Sequence, residues 1–209
     1  MIPVKVLAVR YLANASSALA KGLGAPKGYP SLAMLTTDCD DATYIALDAA
    51  TKAADVQVSY GRSFYAGAAN ASTPNAGEVI GILAGPTPGA VRSGMEAALG
   101  TLQRIGFEEV GGVPYLAHTV ASVGAFLAKE AGVSAGSAVA YLIAPPLEGM
   151  YAMDAALKAA DVKLCKLYAP PSETNFGGGL LSGTQSACEA ACAAFAQSVA
   201  DVARMPIEG

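Results

Sequence analysis

Short apolar segments along the chain alternate with longer stretches in which Ala and Leu recur every three or four residues. The apolar segments at 32–35, 56–60 and 78–83 are short, which predicts buried strands. The stretches at 43–54 and 88–103 carry apolar residues at helical spacing, which predicts amphipathic helices. The first half of the chain therefore predicts a mixed α/β domain.

The second half of the chain predicts the same order of elements. Its expected strands are at 139–143, 162–167 and 178–181, and its expected helices are at 149–160 and after Thr184. Each half also begins with a further strand and helix, at 5–9 and 13–22 and again at 115–118 and 121–131. Thr87, which precedes Pro88, and Thr184 are the expected N-caps of the last helix in each half.

Direct sequence repetition supports this parallel. Residues 48–58 read DAATKAADVQV and residues 154–164 read DAALKAADVKL, which match at eight of eleven positions with an offset of 106. Residues 19–21 recur as residues 127–129 at an offset of 108. Internal similarity of this kind indicates a duplication, and we predict two α/β domains of about 100 residues each. The predicted domains are residues 1–111 and 112–209.

The composition narrows the possible partners. Apolar residues make up 53% of the chain and charged residues only 14%, so part of the surface is expected to be buried against partner subunits. A net charge of −4 without a Lys/Arg cluster excludes nucleic acid as an expected partner. No uncharged apolar run is long enough to predict a membrane span, and no signal peptide is apparent, so we expect a cytoplasmic protein.

The four cysteines and the single histidine do not form a pattern typical of a metal site. The cysteines are Cys39, Cys165, Cys188 and Cys192. Cys188 and Cys192 lie four residues apart on a predicted helix and could supply two ligands, but a structural zinc site needs four. We therefore expect packing residues, and we predict no metal and no cofactor. His118, in a strand-like segment without a motif, is expected to be a packed or interface residue.

Enzymatic motifs are weak. The turn at 85–89 precedes a helix but matches neither the dinucleotide-binding nor the P-loop spacing. Paired-carboxylate hydrolysis through Asp40 and Glu148 stays open, although nothing in the sequence indicates a substrate-shaped site. We predict that the chain is not an enzyme.

Two segments carry a family resemblance. Residues 31–38 and the helix that ends before Val56 resemble the opening strand and helix of the bacterial microcompartment (BMC) shell domain. Residues 80–91 resemble its later strand, Gly-rich turn and second helix. The domain's usual first strand comes about 30 residues into the chain, as in circularly permuted shell domains. Two permuted copies resemble the tandem shell proteins of ethanolamine-utilization microcompartments. The closer matches are residues 38–45, 60–69, 144–148 and 170–175, and the weakest stretch is 104–113.

The resemblance implies an assembly and a transport role. Such proteins form homotrimers whose six domains imitate a hexagon, and the trimers tile with neighbouring shell proteins into a sheet. Each trimer has a gated central pore, and each subunit has a small acidic pore in which ethanolamine binds. A tandem shell protein of a propanediol or ethanol microcompartment, and a trimeric small-molecule binding module that does not tile, are the alternatives.

Acidic residues are expected to line the small pore. Asp38, Asp40 and Asp41 place three carboxylates within four positions, and a ring of acids attracts cations. Without the family, these residues also fit a solvated loop in which Asp40 or Asp41 caps the next helix. By the repeat offset, Asp41 aligns with position 147, next to Glu148. The resemblance implies pore-lining roles for Asp40, Asp41, Glu78, Phe107, Glu148, Asn175 and Phe176.

The segment 60–77 is long, rich in small residues and carries Arg62 as its only charge. Loops of this composition rearrange readily, so it is the expected gate of the central pore, with an ordinary surface loop as the alternative.

Overall fold

A computed structural model describes residues 1–64, 75, 77–170 and 175–207. The first half of the chain contains β1 (Ile2–Pro3), β2 (Val6–Leu12), α1 (Ser17–Gly22), β3 (Ser31–Thr37), α2 (Asp40–Ala53), β4 (Gln57–Ser63), β5 (Val79–Gly85) and α3 (Pro88–Leu102). The second half contains β6 (Gly106–Val110), β7 (Val113–Val120), α4 (Ala125–Ala131), β8 (Ala138–Ala144), α5 (Pro146–Ala159), β9 (Val162–Tyr168), β10 (Gly177–Gly183) and α6 (Gln185–Arg204). The predicted α/β class is confirmed.

The two sheets repeat one topology. A four-stranded sheet has the order β2-β3-β5-β4, and a six-stranded sheet has the order β1-β6-β7-β8-β10-β9. Removing β1 and β6 from the second sheet leaves β7-β8-β10-β9, which is the order of the first, with antiparallel pairing at every step of both. The helices fall at the same places in both halves, so the predicted duplication of elements is confirmed.

Glycines in the left-handed region show the repeat in the backbone itself. Gly24 and Gly132 have φ of 72° and 65°, and Gly28 and Gly136 have φ of 90° and 89°. Both pairs are separated by 108 positions, which is the offset read from the sequence. Residues with a Cβ rarely adopt this conformation, so the same turns recur after α1 and after α4.

The contacts divide the chain into two compact units. The N-terminal unit comprises residues 3–106 and 124–127, and the C-terminal unit comprises residues 1–2, 107–123 and 128–209. Gly111 and Gly112, both with positive φ, form the two-residue turn of the β6–β7 hairpin in the C-terminal unit.

Each unit has its own apolar core between its sheet and its two long helices. Leu35, Leu47, Leu83 and Met95 are among the buried residues of the N-terminal unit. Leu142, Met153, Leu181 and Phe195 are among those of the C-terminal unit. Each fully buried side chain of this size stabilises the fold by about 1.5–3 kcal/mol.

The predicted helix caps are confirmed. The Thr87 Oγ1 atom accepts a hydrogen bond from the Ala90 N–H at 3.1 Å, with Pro88 at the first helical position. The Thr184 Oγ1 atom accepts one from the Ala187 N–H at the same distance. The two halves therefore start their last helices in the same way.

Several element boundaries differ from the prediction. α2 begins three residues earlier than expected, at Asp40, while α1 and α4 begin later, at Ser17 and Ala125. β1 and β6 were not predicted. β6 contains Glu108 and Glu109, whose charges mask the strand pattern, and it is ordered by its hairpin with β7.

Candidate functional site

The acidic residues predicted to line a pore open helix α2. Asp40 and Asp41 are its first two residues, and both are buried. Cys39 is the N-cap residue and makes no side-chain cap bond, so neither aspartate caps the helix, and neither lies in a solvated loop. The positive end of the helix dipole stabilises two carboxylates at this place.

A hydroxyl network holds the turn that leads into α2. Thr37, at the end of β3, accepts a hydrogen bond from the Cys39 N–H at 3.1 Å, and its Oγ1 lies 2.7 Å from the Thr43 Oγ1. Thr43 in turn donates to the Cys39 carbonyl at 2.7 Å. The turn is thus tied to the strand before it and to the helix after it.

Asp40 is buried but well hydrogen-bonded. Its Oδ1 accepts from the Asp41 N–H at 2.9 Å, and its carboxyl also bonds with Ser63 on the neighbouring strand β4. The Ser63 hydroxyl lies 2.6 Å from the Tyr44 hydroxyl. Burial raises the pKa of Asp40, and the hydrogen bonds from Ser63 and from the backbone oppose that rise.

Glu78 lies beside the same acids. It immediately precedes β5, where its N–H donates to the Thr37 carbonyl at 2.8 Å and its carbonyl accepts from the Phe64 N–H at 2.9 Å. Burial raises the pKa of Glu78, and the charges of Asp40 and Asp38 raise it further. The structure therefore brings Asp38, Asp40 and Glu78 within electrostatic reach of one another.

We define the acidic cluster as Asp38, Asp40, Asp41 and Glu78, and the Cys39 thiol lies beside it. The Asp38 Oδ1 accepts a hydrogen bond from the Lys5 N–H at 2.7 Å, which fixes the carboxylate at the end of β3. Burial, with the charge of Asp41, raises the pKa of the Cys39 thiol, so Cys39 stays protonated at neutral pH. The cluster can attract a cation or hold a proton, and it offers no thiolate nucleophile.

The predicted residues of the C-terminal unit fall in two places. The Phe107 and Phe176 rings contact each other, with centroids 5.8 Å apart and an interplanar angle of 43°. Asn175, beside Phe176, is exposed and adopts a left-handed φ of 64°. Glu148 lies in the first turn of α5 and is half-buried.

The cysteines and the histidine do not form a site. Cys188 and Cys192 lie in the core of the C-terminal unit, as predicted for packing residues, and the Cys192 Sγ lies 3.3 Å from the Thr119 Oγ1. His118 lies on β7 opposite Tyr141 of β8. Among the described residues, no group of three or more His, Cys, Asp or Glu is arranged to hold a metal ion.

Within the described ranges, no helix has the length and apolar character needed to cross a bilayer.

Known proteins with similar sequences and structures belong to the family that the fold indicates. The BMC domain family matches residues 31–114, beginning at the first residue of β3, where the resemblance placed the domain's usual first strand. The microcompartment shell protein EutL of Clostridium perfringens is 55% identical over 211 residues, which cover 99% of this chain and 97% of that protein. The crystal structure of ethanolamine utilization protein EutL from Leptotrichia buccalis has a TM-score of 0.96 at 55% identity, and covers 100% of this chain and 98% of that chain.

A more distant structure shares the fold. The trimeric microcompartment shell protein PduB is 19% identical, with a TM-score of 0.80 over 96% of this chain and 89% of that chain. The duplicated topology and the BMC match define a bacterial microcompartment shell protein. The chain belongs to the EutL family of these shell proteins, and its role is structural.

Proposed function

We propose that the chain forms homotrimers that tile, with neighbouring shell proteins, into the shell of an ethanolamine-utilization microcompartment in the bacterial cytoplasm. The trimer would carry a gated central pore and small acidic pores that admit ethanolamine. Residues 1–111 and 112–209 are the two proposed BMC-type domains. The observation that carries the choice of ethanolamine is the acidic cluster at the start of α2.

The cluster favours a small cation for an electrostatic reason. Burial raises the pKa values of Asp40 and Glu78, and the charges of Asp40 and Asp38 raise that of Glu78 further, so holding both carboxylates ionised in the folded protein costs free energy. An ammonium group beside these carboxylates would offset part of that cost. Ethanolamine adds a hydroxyl that can donate to a carboxylate or accept from Ser63 or Tyr44. A neutral diol or alcohol would gain only the hydrogen bonds.

The structural observations that support a pore-lining role differ from one proposed residue to the next. Asp40, Asp41 and Glu78 already lie together in the N-terminal unit. In the C-terminal unit, the Phe107–Phe176 pair offers an aromatic surface, and an aromatic face attracts an ammonium group. Glu148 and Asn175 stay predictions. The proposed gate, residues 60–77, falls largely outside the described residues, which include only 60–64, 75 and 77 of that segment.

The proposed role is binding and passage without chemical conversion. Hydrolysis through Asp40 and Glu148 would need a water molecule held between the two carboxyl groups and a substrate bond to break. The described residues around Asp40 instead supply a hydroxyl and backbone N–H groups that hydrogen-bond to its carboxylate. We expect purified protein to leave ethanolamine unchanged. Formation of acetaldehyde or ammonia by the pure protein would contradict this.

Isothermal titration calorimetry tests the cation proposal. Wild-type protein near pH 7.5 should bind ethanolamine more tightly than 1,2-propanediol or ethanol at constant ionic strength. Glu78→Gln should weaken ethanolamine binding by about tenfold, because it removes one charge while keeping the shape. Glu189→Gln, the same substitution at an exposed position on α6, is the matched control and should have no effect.

Two outcomes would contradict the ethanolamine assignment. Equal binding of propanediol and ethanolamine would favour a shell protein of another microcompartment. Ethanolamine binding that is unchanged in Glu78→Gln would place the ligand elsewhere.

A further inference from the structure

The Tyr44 and Ser63 hydroxyls form a chain of hydrogen bonds that ends on the Asp40 carboxyl group. The two hydroxyl oxygens lie 2.6 Å apart, and the Ser63 hydroxyl also bonds with the Asp40 carboxyl. Asp40 and Tyr44 are four residues apart on α2 and therefore lie on one face of the helix. Ser63 is the last residue of β4. The hydrogen bonds thus join the acidic cluster to the neighbouring strand.

The chemistry of the three groups gives these hydrogen bonds a direction. A serine hydroxyl has one proton to donate, and an ionised carboxylate can only accept. The bond from Ser63 lowers the pKa of Asp40, as expected when the hydroxyl donates to the ionised carboxylate. Because the Ser63 proton is then used, the Tyr44 hydroxyl donates to the Ser63 oxygen. Donors aligned in this way polarise one another towards the charged acceptor.

The second repeat has the same order of elements without this chain of donors. The counterparts of the three residues all lie at the offset of 106 positions, and they are Pro146, Met150 and Ala169. None of these three side chains has a hydroxyl or a carboxyl group. A Cβ at Gly177 would lie 3.1 Å from the Met150 methyl carbon, so Met150 packs against apolar surface there. Because α2 and α5 have the same length, the fold does not require the hydroxyls.

Packing fixes the outer end of the chain of donors. The Tyr44 ring contacts the Phe126 ring, with centroids 5.8 Å apart. It also lies against β4, because a Cβ at Gly61 would be 3.4 Å from the Tyr44 Cε1 atom. The Tyr44 hydroxyl is therefore held towards Ser63, two residues further along the strand.

We propose that Tyr44 and Ser63 are a donor relay that positions the Asp40 carboxylate for a cationic ligand such as ethanolamine. The proposal rests on the function proposed above, because that function makes the acidic cluster the cation site. Asp40 contacts the ligand, and Tyr44 and Ser63 act through Asp40 as positioning residues. Without the relay, the buried carboxyl would hold a proton more readily and would offer the cation less charge.

Other ionisable groups surround Asp40 and titrate in relay variants as in the wild type. They lie on α2, on the turn before it and next to β5, and they are Asp38, Cys39, Asp41, Tyr44 and Glu78. On β4, the Arg62 guanidinium lies over the Tyr60 ring, 5.9 Å from its centroid. A comparison of two proteins that differ only at Ser63 therefore cancels the contributions that both proteins share.

The pH dependence of ethanolamine binding tests the relay, measured by calorimetry from about pH 5.5 to about pH 8. Ser63→Ala should weaken binding by about tenfold at the acid end and by less than about twofold at the alkaline end. Loss of the donor raises the pKa of Asp40, and the cation needs the ionised form. A residue that only supports the fold would weaken binding equally at every pH. Ser63→Thr, which keeps a hydroxyl, should restore the wild-type profile.

A second variant and a matched control complete the binding series. Tyr44→Phe keeps the ring and removes only the outer donor, so it should shift the profile in the same direction by a smaller amount. It provides the same test without a change on β4. Ser59→Ala is the control on that strand, because the Ser59 hydroxyl donates to the Ile82 carbonyl at 3.4 Å and not to the acidic cluster. It should keep the wild-type profile.

Carboxyl NMR of isotope-labelled aspartates follows Asp40 directly and needs no ligand. Asp40→Asn assigns the signal, because it removes that one carboxyl group. The titration midpoint of Asp40 should lie about one pH unit higher in Ser63→Ala than in the wild type. Ser59→Ala should leave the midpoint unchanged.

The outcomes separate the relay from the proposed ligand. An Asp40 midpoint that is the same in the wild type and Ser63→Ala would overturn the relay and leave the ethanolamine assignment in place. Binding weakened equally at every pH would do the same. A wild-type protein that binds no ethanolamine would overturn the proposed ligand, and the midpoint measurement would then decide the relay by itself.

Discussion

The first turns of α2 and α5 occupy the same place in the two repeats but have opposite surroundings. α2 opens with two buried aspartates beside Glu78, whereas α5 opens with exposed Leu147 and half-buried Glu148. The two helices have equal lengths, and their sheets have the same strand order. The two repeats thus share one backbone pattern, while different residues at a few positions give one repeat a buried acidic cluster and the other an exposed apolar face.

The same contrast extends one turn further along each helix. Asp48 is buried and accepts two backbone hydrogen bonds, while Asp154 is exposed and pairs with a neighbouring lysine. Identical residues at equivalent positions therefore have different roles because their partners differ. Substitutions made in pairs, one in each repeat, measure these differences directly.

The largest expected effect is at this aspartate pair. Asp48→Ala should lower the free energy of unfolding by about 3 kcal/mol, because it leaves the Gly124 and Leu127 N–H groups buried without an acceptor. Asp154→Ala should change it by about 0.5 kcal/mol or less, as for other exposed positions. Urea unfolding at one protomer concentration measures both. Equal losses would mean that the two helices have equivalent surroundings.

The next effect comes from exchanging the residues that precede the short helices. Gly124→Ser should destabilise the fold by about 2 kcal/mol, because a Cβ at this position would lie 2.8 Å from the Asp48 carbonyl oxygen. The reciprocal change, Ser16→Gly, should cost only a few tenths of a kcal/mol, since glycine is an acceptable N-cap. Thermal unfolding of both variants measures the asymmetry, and a Gly124→Ser protein as stable as wild type would contradict the close approach.

Positions that are alike in the two repeats should respond alike. Thr87→Ala and Thr184→Ala each remove one cap hydrogen bond of 3.1 Å and should each cost about 1 kcal/mol. Chemical denaturation of the two variants checks the equality. A difference above about 1 kcal/mol would show that one cap has a role besides helix stability.

The smallest expected effect is a change in pH dependence. Because burial raises the pKa of Asp40, the folded protein holds that proton more tightly than the unfolded chain does. The stabilising contribution is complete below about pH 4, near the pKa of an unfolded aspartate, and is lost as the pH rises through the raised folded value. Asp40→Asn cannot titrate, so its unfolding free energy should fall less between about pH 4 and neutrality. Urea unfolding across that range measures the slope, with Asp201→Asn, at an exposed ion pair, as the control.

Most of the fold was predictable because the core strands are short and apolar and the sequence repeats. The prediction was wrong at the start of α2, where Asp40 and Asp41 resemble a loop but form a buried helical turn. It also missed β6, whose glutamates hide the strand pattern. In both places, tertiary contacts, and not the local sequence pattern, determine the secondary structure of the charged residues.

The candidate site was only partly predictable. The aspartates near residue 40 stood out because they are close in sequence. Ser63 and Tyr44, which hydrogen-bond near Asp40, are separated by 19 positions and follow no motif. Asp48 was visible only as part of the repeat, because its partners lie 76 and 79 positions away. Long-range hydrogen bonds of this kind leave no local signal in a single sequence.

Electron microscopy of the purified protein at low and high concentration tests the central claim most directly. We expect flat discs of three 20.9 kDa chains that join edge to edge into hexagonal sheets as the concentration rises. Isolated particles that never tile at any concentration would contradict the proposed shell-tiling function.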